Sequence, residues 1–410
     1  MSSQNNWPVK SGMSETALNS VRENVKKDLK EISTVFSSEH TAHFLIDNAA
    51  DLGWLGSFGD EDFDRFFVVI DENINEIWGD IILKQLKRHN KAIFLFAVKA
   101  VEQSKSISFY PEVIRFLEKH RCNRFDLVIA VGGGIIIDLV SFVVSTYMRG
   151  LPLYLIPTTL LGQVDAATAG KTCLNTESCK NLLGTFYYPL MVYDNVCFLD
   201  TVSNRYLRQG FSEVFKYGLL GSELLLERLM KYHRTREEAI LLHIIALTIE
   251  IRIAVRKRHA LASNLGHTFG HAIEKLSNYE ILHGDAISVG TIIALNLFQE
   301  IDVHAAEKNL VNRVIERMKK LGLNIYLDKD IDAGKLVETM MHDKKSSSSD
   351  LNLVLIKDIA QPYIVDGDVF YRIKPDIAKS FLEDFIDNYE YSIPDCATFL
   401  KRDTLDYEGE

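Results

Sequence analysis

Cysteine is scarce in this sequence. Its five residues, Cys122, Cys173, Cys179, Cys197 and Cys396, contain no C-x-x-C pair. A disulfide framework is therefore not expected, and reduced thiols in a cytoplasmic protein fit best. An excess of basic charge is missing too: 46 Lys and Arg stand against 56 Asp and Glu, a formal net charge of -10. Nonspecific nucleic-acid binding needs a basic footprint, so that class is set aside. An anionic small substrate is not, because local lysines and arginines decide it. No run approaches the ~18 consecutive apolar residues of a membrane span. The opening residues, MSSQNNWPVKSG, lack the apolar core of a signal peptide. There is no internal repeat, and low complexity is confined to Ser346 to Ser349.

What is present is an ordinary globular composition, 47% apolar and 25% charged, over 410 residues. That length predicts two or three domains. Residues 1 to about 40 are polar and read as an N-terminal extension, with a helical-looking charged run from Val21 to Ile32. Compact apolar runs follow at His43 to Ile46, Phe66 to Asp71, Ala92 to Phe96, Asp126 to Val131 and Leu153 to Pro157. Helical patterns lie between them, notably Pro111 to His120 and Ile135 to Thr146. Buried strands alternating with helices predict an α/β domain with a doubly wound parallel sheet, Rossmann-like, over 41–199. Beyond about residue 200, long helical patterns dominate, and Leu351 to Ile356 is the clearest strand. A mostly α-helical C-terminal domain is expected over 200–386, then a polar, acidic tail over 387–410.

Val131-Gly-Gly-Gly134 directly follows an apolar strand and opens a helical pattern. Such glycines let a pyrophosphate approach the backbone, and the helix N-terminus favours the anion. The literal GxGxxG fingerprint is not met, and a tight turn would look the same. Asp138 lies one turn into that helix. Asp71 closes an earlier strand, where it suits either a ribose hydroxyl or a helix cap. Between Pro157 and Gly184, Lys171, Lys180, Asn175, Asn181, Asp165, Thr158 and Thr159 share an apolar frame with glycines. Lysines supply point charges for phosphate, and an aspartate accepts from sugar hydroxyls. Gly170-Lys-Thr172 is no P-loop, because Asp165 stands where that motif needs glycine.

A third constellation suits a metal. Glu213 and Lys216 share a helix face at i, i+3, and His267 and His271 share one at i, i+4. His283 follows before another helical pattern. One Glu and two or three His suit zinc as N/O ligands with a position open for substrate. Spacing alone does not say which His binds metal and which moves protons.

The runs GGGIIID, MRG, IPTTLLGQVDAATAGKTCLN, KNLLG, FSEVFKYG, NLGHTFGHAIE and LHGDAISVG closely resemble the 3-dehydroquinate synthase family and its sugar phosphate cyclase relatives. They lie in order over roughly residues 66 to 360. The resemblance implies NAD and zinc, with cobalt an option, a homodimer, and a phosphorylated sugar as substrate. It places Asp71, Glu102, Lys105, Gly133, Gly134, Asp138, Thr158, Thr159 and Lys180 at the NAD. Glu213, His267 and His283 match the zinc ligands. His271 matches a proton-transfer group near the phosphate. Lys171, Asn181, Asn264 and one of Lys344 and Lys345 match phosphate contacts. Asp165 and Lys216 match residues that hold substrate hydroxyls, and Arg149 an arginine lent across the dimer. The implied reaction is redox-neutral. One alcohol is oxidised by NAD, phosphate is eliminated, the hydride returns, the ring opens, and an intramolecular aldol closes a carbocycle.

The chain departs from dehydroquinate synthase in one stretch. Those enzymes carry a glycine-rich loop ending in an arginine four residues before the Asn of NLGH, and it grips the substrate carboxylate. Here the approach from Arg252 to Asn264 is shorter, and Ala260 occupies that arginine's position. Arg252 stands where a lysine usually assists. Ile137 stands where a glycine usually precedes the Asp. A carboxylate without a bidentate arginine binds poorly. The expected substrate is therefore a heptulose phosphate such as sedoheptulose 7-phosphate, or a hexose phosphate. The alternatives are dehydroquinate synthase proper and a metal-dependent polyol dehydrogenase.

Overall fold

The computed structural model describes residues 30–37, 40–59, 62–176, 180–258, 262–301, 307, 309–341, 350–365 and 367–401. The chain divides into two compact units. One is Arg22–Val202, and the other takes in everything from Ser203 onward.

The first unit holds a seven-stranded sheet. Its strands are β1 (Lys30–Ser37), β2 (His40–Asp47), β3 (Arg65–Asp71), β4 (Ala92–Val98), β5 (Leu127–Gly132), β6 (Leu153–Pro157) and β7 (Met191–Asn195). Their order across the sheet is β1-β2-β7-β6-β5-β3-β4. All neighbours from β2 to β4 are parallel, and β1 runs antiparallel at the edge. The inner strands β3 and β5 are buried on both faces, which is why they read as unbroken apolar runs. Helices α1 (Glu72–Leu86), α2 (Tyr110–Lys119), α3 (Gly134–Thr146) and the short α4 (Leu160–Val164) connect them. The chain passes from β3 to β4 and then crosses back to β5, so the strand order reverses beside β3. Asp71 and the glycine run after β5 sit at the carboxyl ends of the two strands at this reversal, where open α/β sheets bind ligands.

Two sequence expectations are corrected here. The run Val21 to Ile32 was expected to be helical, but its last residues enter β1, which pairs with β2 from Lys30↔Ile46 onward. The segment KEISTVFS carries β-branched Ile32, Thr34 and Val35, and it pairs as a hairpin with β2, only two residues lying between the strands. The stretch 387–410, expected as a tail, is partly structured. Ser392–Ile393 pairs with Leu327–Asp328, and the short helix Cys396–Leu400 buries Cys396 and Leu400.

The second unit is mainly helical. Its site-bearing helices are α5 (Asn204–Gly221), α6 (Glu223–Thr235), α7 (Glu238–Arg258), α8 (His267–Leu276) and α9 (His283–Ile301). Every residue of α5 from Arg208 to Gly221 is buried. Arg208, 1% exposed, donates to Asp285 from Nε at 2.8 Å and to the carbonyl of Leu400 at 2.9 Å. The final segment is thereby tied to the start of α9. The strand expected at Leu351 to Ile356 breaks at Leu355: Leu351–Val354 pairs with Phe370–Ile373, and Ile356–Asp358 with Gln361–Pro362.

One buried acid stands apart. Asp194 in β7 has 0% exposure, and among the described residues neither carboxylate oxygen has a hydrogen-bond partner. Burial pushes its pKa well above the usual carboxylate range. The folded protein therefore keeps this proton as pH rises past the unfolded value near ~3.9. The unfolded chain releases it there, so wild-type stability falls as pH rises through that window. Asn cannot ionise. The melting temperature of Asp194→Asn relative to wild type is expected to climb between about pH 4 and about pH 8. A difference that stays flat across that range, followed by thermal unfolding, would contradict this.

Candidate functional site

The first unit gathers most of the nucleotide-side residues. Gly133 caps α3 and Gly134 opens it, directly after β5. Asp71 caps α1, accepting from the backbone N–H of Asn73 at 3.0 Å. The structure thus gives Asp71 its capping role, and burial raises its pKa. Thr159 caps α4 by accepting from the N–H of Gly162 at 3.1 Å, and Asp165 follows that helix. Thr158 is buried, and its hydroxyl has no hydrogen-bond partner among the described residues.

A polar network joins distant segments around α3. Lys105 pairs with Asp138, both largely buried. Desolvation works against the Lys105 charge, but Asp138 and its other neighbours prevail and raise its pKa. Glu102 lies 3.4 Å from Lys180 and accepts from Asn175 at 2.6 Å. The Asn175 side-chain oxygen accepts from the N–H of Asn181 at 2.9 Å, and its backbone N–H donates to Lys105 at 2.8 Å. Asn175 therefore ties the lysine- and asparagine-rich loop to the Glu102–Lys105 turn. Nothing local in the sequence marks this role of Asn175, because 73 residues separate it from Glu102. Lys171 and Asn181 are exposed on the same loop. Arg149 is exposed too, at φ 66° directly after Met148 at φ 50°. Two consecutive left-handed non-glycine residues are a local strain that surrounding structure must hold.

The second unit gathers the metal constellation. The carboxylate of Glu213, on buried α5, lies with Oε1 3.8 Å from His267 Nε2 and 3.6 Å from His283 Nε2. The donor atoms of Glu213, His267 and His283 all fall within 4.8 Å of one another. Glu213 uses its other oxygen, Oε2, for the buried Lys216 ammonium, which also lies 4.4 Å from the Tyr217 ring centroid. Oε1 is buried and without a hydrogen bond among the described residues. An anionic oxygen left so, facing two imidazole nitrogens, is the donor set that a divalent cation completes. Without a cation the group holds positive charge as protons. Burial opposes the Glu213 carboxylate, but Lys216 and His283 bring its pKa down to about 2. Burial likewise opposes His283, but Glu274 and Glu213 push it up to about 10.

Two glycines let these histidines meet. His267 opens α8 and His283 opens α9. Gly266 caps α8 at φ 75°, and a Cβ there would meet Thr291 Oγ1 at 2.3 Å. A Cβ on Gly290 of α9 would meet the carbonyl oxygen of Gly266 at 2.2 Å. The two backbones therefore approach closely, and any side chain at either position would part them. His271, one turn after His267, has its ring centroid 5.2 Å from that of His267 and 6.0 Å from that of His283. Glu274 accepts from His283 Nδ1 at 3.1 Å. It went unassigned in the sequence, although its i, i+3 spacing from His271 puts it on the same face. Arg252, half-buried on α7, lies 5.9 Å from the Tyr217 ring centroid. Asn264 ends the 3-10 turn Ala262–Asn264 just before α8. Lys344, Lys345 and Ala260 lie outside the described residues.

Comparison with known proteins adds the following. Residues 95–209 match the family described as 3-dehydroquinate synthase N-terminal, and residues 210–346 match 3-dehydroquinate synthase C-terminal. A curated 3-dehydroquinate synthase of Streptococcus agalactiae is 35% identical over 311 residues, covering 71% of this chain and 84% of its own. Among solved structures, a 2-deoxy-scyllo-inosose synthase complexed with carbaglucose-6-phosphate, NAD+ and Co2+ superposes with a TM-score of 0.77 at 20% identity. It covers 87% of this chain and 99% of its own. A 2-epi-5-epi-valiolone synthase from Streptomyces hygroscopicus subsp. jinggangensis, with NAD+ and Zn2+ bound, gives a TM-score of 0.74 at 22% identity, covering 86% and 99%.

Proposed function

We propose that this chain, which belongs to the 3-dehydroquinate synthase-like sugar phosphate cyclase family, closes a carbocycle from a phosphorylated sugar that carries no carboxylate. A heptulose phosphate such as sedoheptulose 7-phosphate, or a hexose phosphate, is the substrate. The observation that carries this choice is Ala260 in the shortened approach to Asn264, which removes the arginine fork for a substrate carboxylate. The second reading, 3-dehydroquinate synthase itself, is favoured by the name its curated relative bears.

In this reading NAD, when bound, would supply reversible hydride transfer at a substrate alcohol, and a divalent cation would supply Lewis-acid polarisation of an oxygen. Glu213, His267 and His283 hold the cation. Asp71, Glu102, Lys105, Gly133, Gly134, Asp138, Thr158, Thr159 and Lys180 serve the nucleotide. Lys171, Asn181, Asn264 and one of Lys344 and Lys345 hold the phosphate as it leaves. Asp165 and Lys216 orient hydroxyls, and His271 moves the proton near the phosphate. Arg149, offered to a second copy of the chain, completes the substrate contacts in a homodimer. The residues' work is fixed charge and fixed geometry, which cost no rearrangement during the reaction.

The test is phosphate release across a panel: sedoheptulose 7-phosphate, glucose 6-phosphate and the carboxylated heptulosonate phosphate of the shikimate pathway. One of the two sugar phosphates without a carboxylate is expected to be turned over best. Preference for the acid would establish the second reading instead.

A further inference from the structure

The two histidines that face Glu213 present Nε2 because something else holds Nδ1. For His267 that partner is the carbonyl of Leu265, at 3.0 Å. For His283 it is the carboxylate of Glu274, at 3.1 Å. Both partners only accept, so each ring keeps a proton on Nδ1 and leaves Nε2, which faces Glu213, as the nitrogen that would serve a cation. The two partners differ in strength. A carbonyl offers a dipole, whereas Glu274 offers a full charge that also makes His283 the more basic donor.

The placement of Glu274 argues that this contact matters. It lies in the last turn of α8 (His267–Leu276), where the helix dipole disfavours a carboxylate. Its side chain is 12% exposed, so water does little to compensate. The same helix carries His267 seven residues earlier, so one element sets both a donor and the group that aims its partner. Glu274 could instead belong to a second cation site, because its donor atom lies within 4.8 Å of those of His271 and His283. That arrangement would put cations on both nitrogens of His283, which requires the ring to give up both protons. The hydrogen bond needs no such ionisation.

We propose that Glu274 is a positioning residue for the cation site: it fixes the tautomer and orientation of His283 without binding the ion itself. The proposal rests on the reading that Glu213, His267 and His283 hold a divalent cation. It is tested by chelator-competition measurements of cobalt(II) and zinc affinity, with metal stoichiometry and the visible cobalt(II) spectrum, on the full-length protein. Glu274→Ala is expected to weaken the affinity by about 10–100-fold and to alter the cobalt bands, with the stoichiometry still one ion per chain. Glu274→Gln keeps an acceptor for Nδ1 and is expected to recover part of that loss. It also serves as the test variant if the alanine protein lacks a native circular-dichroism spectrum. Unchanged affinity and spectrum in a folded variant would overturn the role. So would two ions in the wild type and one in the variant, which would make Glu274 a ligand. A wild-type chain that binds neither metal would instead defeat the cation-site reading itself.

Discussion

Glu213→Gln is expected to fold normally, retain no divalent cation, and turn over its sugar phosphate on the order of 10³-fold more slowly. The variant keeps the volume of a side chain that is 0% exposed on α5. Its amide oxygen can still accept from Lys216, so the buried ammonium keeps a hydrogen bond while losing its countercharge. What goes is the negative charge at Oε1, the oxygen facing both His267 and His283. The substitution replaces the donor set's only anion by a weak neutral ligand. Lewis-acid polarisation supplies several kcal/mol at the transition state. At about 1.4 kcal/mol per tenfold, its loss corresponds to about three orders of magnitude. Metal analysis of the purified protein beside a circular-dichroism spectrum checks this. Full metal content in the variant would remove Glu213 from the site.

Arg208→Ala is expected to destabilise the second unit by about 3–5 kcal/mol, because removing one partner strands a buried charge. Arg208 and Asp285 are 1% and 0% exposed, so water cannot replace the lost contact. Asp285 keeps the Gln209 amide at 2.9 Å, which softens the loss without neutralising the charge. The carbonyl of Leu400 loses its donor at the same time. For a unit of this size the melting temperature is expected to fall by roughly 10 °C. The double variant Arg208→Met, Asp285→Leu removes both charges and is expected to recover most of the loss. A single variant that melts within about 2 °C of wild type would show that the pair adds nothing.

The parts of this molecule legible in the sequence are those specified locally. The strand–glycine–helix passage from Leu127 to Thr146 reads directly, because apolar run, turn and helix follow one another. The pairs Glu213/Lys216 and His267/His271 read as shared helix faces because their spacing is the helix's own. Sequence reasoning fails where a distant partner decides. Met191–Asn195 is a central strand, yet it passed unnoticed because Asp194 and Asn195 interrupt its apolar run. Lys30–Ser37 is hidden for a different reason: only two residues separate it from its partner β2, but the charged run leading into it reads as helix. The stretch from Ser392 to Leu400 reads as polar tail, although Cys396 and Leu400 pack into the second unit's core. Within the site, the approach of α8 to α9 depends on Gly266 and Gly290. Only that approach brings Glu274 to His283.

The central claim is a redox-neutral, phosphate-eliminating cyclisation. Its most direct test is to follow inorganic phosphate and NADH absorbance together while the enzyme, supplied with NAD and zinc, turns over the sugar phosphates of the panel. Phosphate released in step with substrate consumed, with no net NADH, is the predicted result. Steady accumulation of NADH with the phosphate still on the sugar would contradict it and make the protein a polyol dehydrogenase.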